Sequence, residues 1–170
     1  MTGVKFERAI RLLVANMPPA DENCRKPILP HDVRVGVYLY EKGYRQDVVL
    51  AGILHDAIEW SEIDEQTLRK EFGDNVARLV LANTKNDSIA DAEEKTMELI
   101  NRCVQNGEDA LIVKAADIID SFKWYTFQDN RDELRYCARN AEAILKLKPD
   151  DFSDRIFEEL KSWNDRFRAS

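Results

Sequence analysis

The chain has only two histidines, His31 and His55, and the second is followed directly by an aspartate, Asp56. That doublet closes an apolar run, Leu50-Ala51-Gly52-Ile53-Leu54. An ionised carboxylate is costly in such a run unless it is paired, hydrogen-bonded or bound to a cation. A divalent metal answers that cost directly. Imidazole nitrogen with carboxylate oxygen is a mixed donor set that suits manganese, iron, zinc or nickel, with coordination positions left for water and substrate. Two protein ligands hold a metal loosely, so the other histidine and another apolar-embedded acid become candidates. These are His31 and Asp117, the latter inside Ala110-Leu111-Ile112-Val113-Lys114-Ala115-Ala116-Asp117-Ile118-Ile119. Taken one at a time, a histidine at a helix start or a buried aspartate is more often structural than functional. Taken together, these residues fit one metal chemistry.

Other side chains could serve that centre. Glu59 is four residues after His55, so on a continuous helix it shares the same face one turn further on. There it could take a proton from water that a metal has made more acidic. Asp120, one turn beyond Asp117, is a candidate to assist from the same side. Arg25 and Lys26 lie just upstream of His31 and could pair with substrate phosphates, against the plainer reading of solvated loop charges. Lys114, one turn before Asp117, would contact a phosphate or neutralise that buried acid. Trp60 and Trp124 could stack on a nucleobase, although packing is the commoner use of large aromatics.

Helices must position these groups, because apolar residues recur at helical spacing and no alternating β-branched stretch argues for a strand. The first helix presents Phe6, Ile10, Leu13 and Val14 and ends at Pro18 and Pro19. After a loop over Ala20 to Pro30, a second starts near His31 and carries Val33, Val37, Tyr38 and Tyr40 up to Gly43. The third runs from Gln46 to Trp60. Asp64 reads as the N-cap of a short helix to Phe72, Gly73 closes it, and Asp74 opens the next toward Thr84. Ile89 to Gln105, Asp109 to Phe127, Asp132 to Leu147 and Asp151 to Arg168 supply four more. The expected fold is all-α, a compact orthogonal helical bundle forming a single domain over residues 1–170, since no heptad pattern, repeat or long linker interrupts it.

The chain's 170 residues, 44% hydrophobic and 34% charged, are enough to enclose a core. A net charge of -7 gives no global attraction to nucleic acid or anionic lipid. The expected partner is therefore a small phosphorylated molecule met through a cation and a few local basic residues, with no nucleic acid and no membrane. Cys24, Cys103 and Cys137 form neither a metal-binding pair nor a secreted framework. With no apolar leader at the N-terminus, a cytoplasmic address is the expectation. The oligomeric state is left open.

The order His31, then His55-Asp56, then Asp117 resembles the signature of the HD-domain phosphohydrolase superfamily. Within it, the chain is most similar to the hydrolase domains of stringent-response enzymes that remove the 3′-pyrophosphate of (p)ppGpp, and to their small stand-alone relatives. The similarity spans His31 to Lys123. It is carried by Leu50 to Glu59, by Phe72-Gly73-Asp74-Asn75-Val76-Ala77-Arg78-Leu79-Val80 with Thr84-Lys85, and by Val113-Lys114-Ala115-Ala116-Asp117.

The resemblance implies a helical domain with one divalent ion, commonly manganese in the ppGpp hydrolases, and attack of water on phosphorus. Three departures bear on substrate rather than metal. Trp60 stands where those enzymes carry an aspartate, and Ser121 where they carry an asparagine that contacts the nucleotide, with the basic Lys123 following in both. The loop before His31 lacks their Gly-x-Pro-Tyr approach. The expected activity is hydrolysis of a nucleotide phosphate ester or pyrophosphate, (p)ppGpp foremost. The alternatives are a nucleoside 5′-monophosphate phosphatase and a non-catalytic metal- and nucleotide-binding sensor.

Overall fold

The computed structural model describes residues 3–18 and 26–169, which leaves Cys24 and the candidate phosphate contact Arg25 outside the described residues. Ten helices and no strand occur among the described residues, so the class is all-α as the apolar spacing predicts. No helix is long and apolar enough to cross a membrane. The chain divides into two compact units, Met1–Thr84 and Lys85–Ser170.

In the first unit, α1 (Gly3–Asn16) buries Ala9 and Leu13, with Met17 one turn on. Val14, read from the sequence as part of that face, is 61% exposed, because it lies about 100° round the helix from Leu13. Helix α2 (Ile28–Glu41) begins three residues before His31. Pro30 therefore lies in the first turn of the helix instead of ending the loop, and its missing N–H would have had no intrahelical partner there.

The buried stripe of α2 is Ile28, His31, Asp32, Val35, Gly36 and Leu39. The expected face through Val33, Val37, Tyr38 and Tyr40 is instead half-buried or exposed. The reason lies in α3 (Gln46–Leu54), which packs on α2 and is buried from Val48 through Leu54. A Cβ added at Gly36 would overlap Ile53, and one added at Gly52 would overlap the Leu39 side chain. These two glycines let the helix backbones approach closely, and that fixes which stripe of α2 faces inward.

The expected continuous helix from Gln46 to Trp60 is in fact two helices. A turn at His55 and Asp56 separates α3 from α4 (Ala57–Trp60), and Asp56 sits at φ -94, ψ -3. The His-Asp doublet is the break itself. Helix α5 (Glu65–Phe72) is capped by Asp64, whose carboxylate accepts from the Thr67 N–H at 2.8 Å. Gly73, at φ +98, then turns the chain into α6 (Asp74–Asn83). Thr84 closes α6 by donating its hydroxyl to the Val80 carbonyl at 3.0 Å.

The second unit holds α7 (Ala92–Gln105), α8 (Glu108–Phe127), α9 (Arg131–Leu147) and α10 (Ile156–Ala169). Helix α7 starts later than expected because the Asp91 carboxylate accepts from the N–H groups of Glu93 and Glu94 and sets the cap there. Helix α10 starts at 156 rather than 151. The Asp154 N–H donates to Glu108 Oε1 at 3.0 Å and its carboxylate accepts from the Ile156 N–H at 2.9 Å, so the preceding stretch is held as a turn. Helix α8 contacts α7, α9 and α10 and is buried continuously from Ala110 to Phe122, which accounts for its apolar run. Phe122 stacks on Trp163 of α10, with ring centroids 6.4 Å apart, while Phe127 is exposed.

Candidate metal centre

His31 and His55 meet where α2 crosses the end of α3. Their Nε2 atoms are 3.3 Å apart, and both rings are buried. Asp56 Oδ1 lies 3.6 Å from His55 Nε2. Asp32 is fully buried, with Oδ1 3.6 Å from His55 Nδ1. One donor atom from each of His31, Asp32, His55 and Asp56 lies within 4.8 Å of the other three.

Proton roles follow from the partners. The carbonyl of Gly52 can only accept, so the His55 Nδ1 at 2.8 Å from it is the donor, and in the neutral ring Nε2 keeps its lone pair. The Lys26 ammonium can only donate, so His31 Nε2, 2.7 Å away, accepts. The His55 Nε2 lone pair thus lies 3.3 Å from a His31 Nε2 that accepts from Lys26, with the Asp56 carboxylate beside them. Convergence of these donor atoms on one point is what a bound cation requires. Protein nitrogen and oxygen bind divalent ions at about 2.0–2.2 Å, so donors on opposite sides of one ion stand about 4.2 Å apart. The cluster could hold one such ion with small side-chain adjustments.

The remaining candidates fall in two places. Glu59 is half-buried on α4, and the turn at 55–56 replaces the regular one-turn spacing expected between it and His55. Asp117 is buried on α8 of the second unit, where Lys114 Nζ donates to its Oδ2 at 2.8 Å and Ser121 Oγ to its Oδ1 at 3.4 Å. Burial alone would pull the Lys114 pKa down, but the Asp117 charge, with lesser help from Tyr136, more than reverses this and leaves it well above the ordinary lysine value. Of its two sequence readings, the structure shows Lys114 neutralising the buried acid. Asp120 is buried on the same helix. Lys123 is exposed and pairs with Glu159 at 3.6 Å.

Sequence reasoning missed Asp32. The signal was available: both histidines are followed by aspartate, so the chain carries the His-Asp doublet twice. It also missed the two glycines that bring α2 and α3 together.

The fold is an all-helical domain whose histidines and aspartates converge in a buried cluster that could hold a metal ion. A family model for the HD domain matches residues 9–144, and the chain belongs to that family. It is 26% identical over 142 residues to a guanosine-3′,5′-bis(diphosphate) 3′-pyrophosphohydrolase of Aquifex aeolicus, a match covering 81% of this chain and 20% of that protein. It is 31% identical over 124 residues to a GTP pyrophosphokinase of Streptomyces coelicolor, covering 71% of this chain and 15% of the relative. The chain thus spans only a fifth or less of these two relatives. The solved structure of a metazoan ortholog of SpoT that hydrolyzes ppGpp has a TM-score of 0.75 at 18% identity, covering 95% of this chain and 94% of the other; that likeness concerns the fold.

Proposed function

We propose that the chain is a metal-dependent phosphohydrolase acting on a nucleotide, with the 3′-pyrophosphate of (p)ppGpp as the foremost substrate and manganese as the metal. The observation that carries this reading is the buried convergence of His31, His55 and Asp56 donor atoms, in a chain of the HD domain family. His31, His55 and Asp56 would hold the ion, with Asp117 as a further ligand. We treat residues 1–170 as one functional domain, a reading supported by the family match across both compact units.

A divalent ion so held supplies positive charge to a phosphoryl oxygen and makes water more acidic. The chain's own groups do the rest. Glu59 takes a proton from the attacking water at its carboxylate as the new O–P bond forms, and the leaving oxygen takes up a proton from solvent as its bond to phosphorus breaks. Asp120 assists from α8. Lys26, whose ammonium donates an N–H to His31 Nε2, would meet a phosphate oxygen beside the ion. Lys123 extends the surface offered to substrate, with Arg25 upstream of Lys26, while Ser121, the other contact expected from the sequence, is buried beside Asp117. A (p)ppGpp hydrolase is named among the relatives that match this chain, which supports the substrate class.

Trp60, half-buried on α4 where (p)ppGpp hydrolases are expected to carry an acid, favours a second reading in which the substrate is a different nucleotide. The test is a panel of ppGpp, other pyrophosphorylated nucleotides and nucleoside 5′-monophosphates, incubated with manganese-loaded protein. Pyrophosphate release from ppGpp supports the first reading and phosphate release from 5′-monophosphates the second. Tight binding without release, unchanged in Glu59→Gln, identifies a sensor.

A further inference from the structure

We infer that Asp32 is itself a metal ligand, so that this chain holds its cation with two consecutive His-Asp doublets; the inference rests on the metal-binding reading above. Three observations carry it. The first is placement: Asp32 shares the buried stripe of α2 with Gly36, one turn on, and Gly36 is where α2 presses against α3. That stripe aims Asp32 at the end of α3, where His55 sits.

The second is distance. The Asp32 carboxylate lies within 4.8 Å of donor atoms of His31 and Asp56 as well as of His55. The His55 Nδ1–H is, moreover, donated to the Gly52 carbonyl at 2.8 Å, whereas Asp32 Oδ1 is at 3.6 Å from that nitrogen, beyond hydrogen-bond length. Orienting the ring is already the work of Gly52.

The third is charge. Asp32 is fully excluded from solvent, where an ionised carboxylate is tolerated only beside compensating charge. A divalent ion among these donors would supply such charge to Asp32 as it would to Asp56.

The experiment uses the whole chain, stripped with chelator and titrated with Mn2+, with the electron paramagnetic resonance signal of free manganese reporting binding. Asp32→Asn keeps the side-chain shape, and circular dichroism checks its folding. It is expected to bind manganese about tenfold to a hundredfold more weakly than the parent, the range typical of a lost partner at a metal site. Supporting groups can produce such a loss too, so Asp32→Cys is loaded with Co2+. A thiolate bonded to cobalt adds a near-ultraviolet charge-transfer band absent from the parent, and a thiolate outside the coordination sphere does not.

Weaker binding together with that band supports the inference. Asn binding as tightly as the parent overturns it, and so does weakened binding without the band. If either variant fails to fold, a crystal structure of the manganese-loaded parent decides: a carboxylate oxygen of Asp32 at about 2.2 Å from the ion supports direct ligation, and one beyond about 3 Å overturns it. A folded parent that binds no manganese overturns the metal-binding reading itself, a different failure from loss of Asp32 alone.

Discussion

The Nδ1–H of His55 donates to the carbonyl oxygen of Gly52 at 2.8 Å, and Gly52 is also where a Cβ on α3 would overlap the end of the Leu39 side chain of α2. One residue therefore sets two conditions of the metal centre. Its carbonyl turns the His55 ring so that the Nε2 lone pair faces His31, and its bare Cα allows the two helices to bring those rings within 3.3 Å. Second-sphere hydrogen bonds of this kind fix the tautomer and direction of a metal-binding imidazole.

Gly36 tests the helix approach without touching a donor. Gly36→Ala gains about 0.8–1.0 kcal/mol of helix propensity but overpacks against Ile53, at a typical cost of about 1–3 kcal/mol. The expected result is a net loss of stability in urea unfolding together with weaker manganese binding, as α2 and α3 are pushed apart. An alanine variant with unchanged stability and metal affinity would show that the close approach does not matter.

On the proposed reading a metal would compete with Lys26 for the same lone pair of His31. Lys26→Met is therefore expected to bind manganese more tightly than the parent, by severalfold in a chelator competition. Its KM for a phosphorylated substrate is expected to rise about tenfold or more, through loss of a charge-assisted hydrogen bond worth about 1.5–3 kcal/mol. Equal metal affinity in the two proteins would remove the competition from the account.

Glu59→Gln separates proton transfer from metal binding. Because the residue is read as a proton acceptor, kcat is expected to fall about a hundredfold to ten-thousandfold while manganese content stays that of the parent. Metal lost along with activity would mean that Glu59 acts on the ion instead.

The second unit offers a pH dependence with a definite sign. Burial pushes the Cys103 thiol up to about 12, only partly opposed by the charges of Lys114 and Arg102. An exposed thiol in the unfolded chain ionises near about 8.5. Between these values the folded state keeps a proton that the unfolded state releases, so stability falls as pH rises from about 9 toward 12. Unfolding free energies measured across that window are expected to fall more steeply for the parent than for Cys103→Ala. Parallel slopes would contradict the burial argument.

Much of this was legible before any coordinates. Helical spacing of apolar residues predicts the all-α class, and the Asp64 cap and Gly73 junction read correctly because each rests on local chemistry, a side-chain acceptor and a positive φ. The break at His55-Asp56 was hidden: both residues keep right-handed helical angles, and what marks the site is a side-chain bond to Gly52 that no periodicity reveals. The buried stripe of α2 was misread because exposed Val37 and Tyr40 look like core residues, while the contact is made through a glycine, which carries no hydrophobic signal. Asp32 escaped notice for a related reason. Only its neighbours in space show it to be interior.

The most direct test is metal analysis of protein purified without chelator and saturated with manganese, beside a folded His55→Ala variant. The expected result is one divalent ion per chain in the parent and a large loss in the variant. A well-folded parent that retains no divalent ion, or a variant that retains as much as the parent, would contradict a cation held between the two imidazoles.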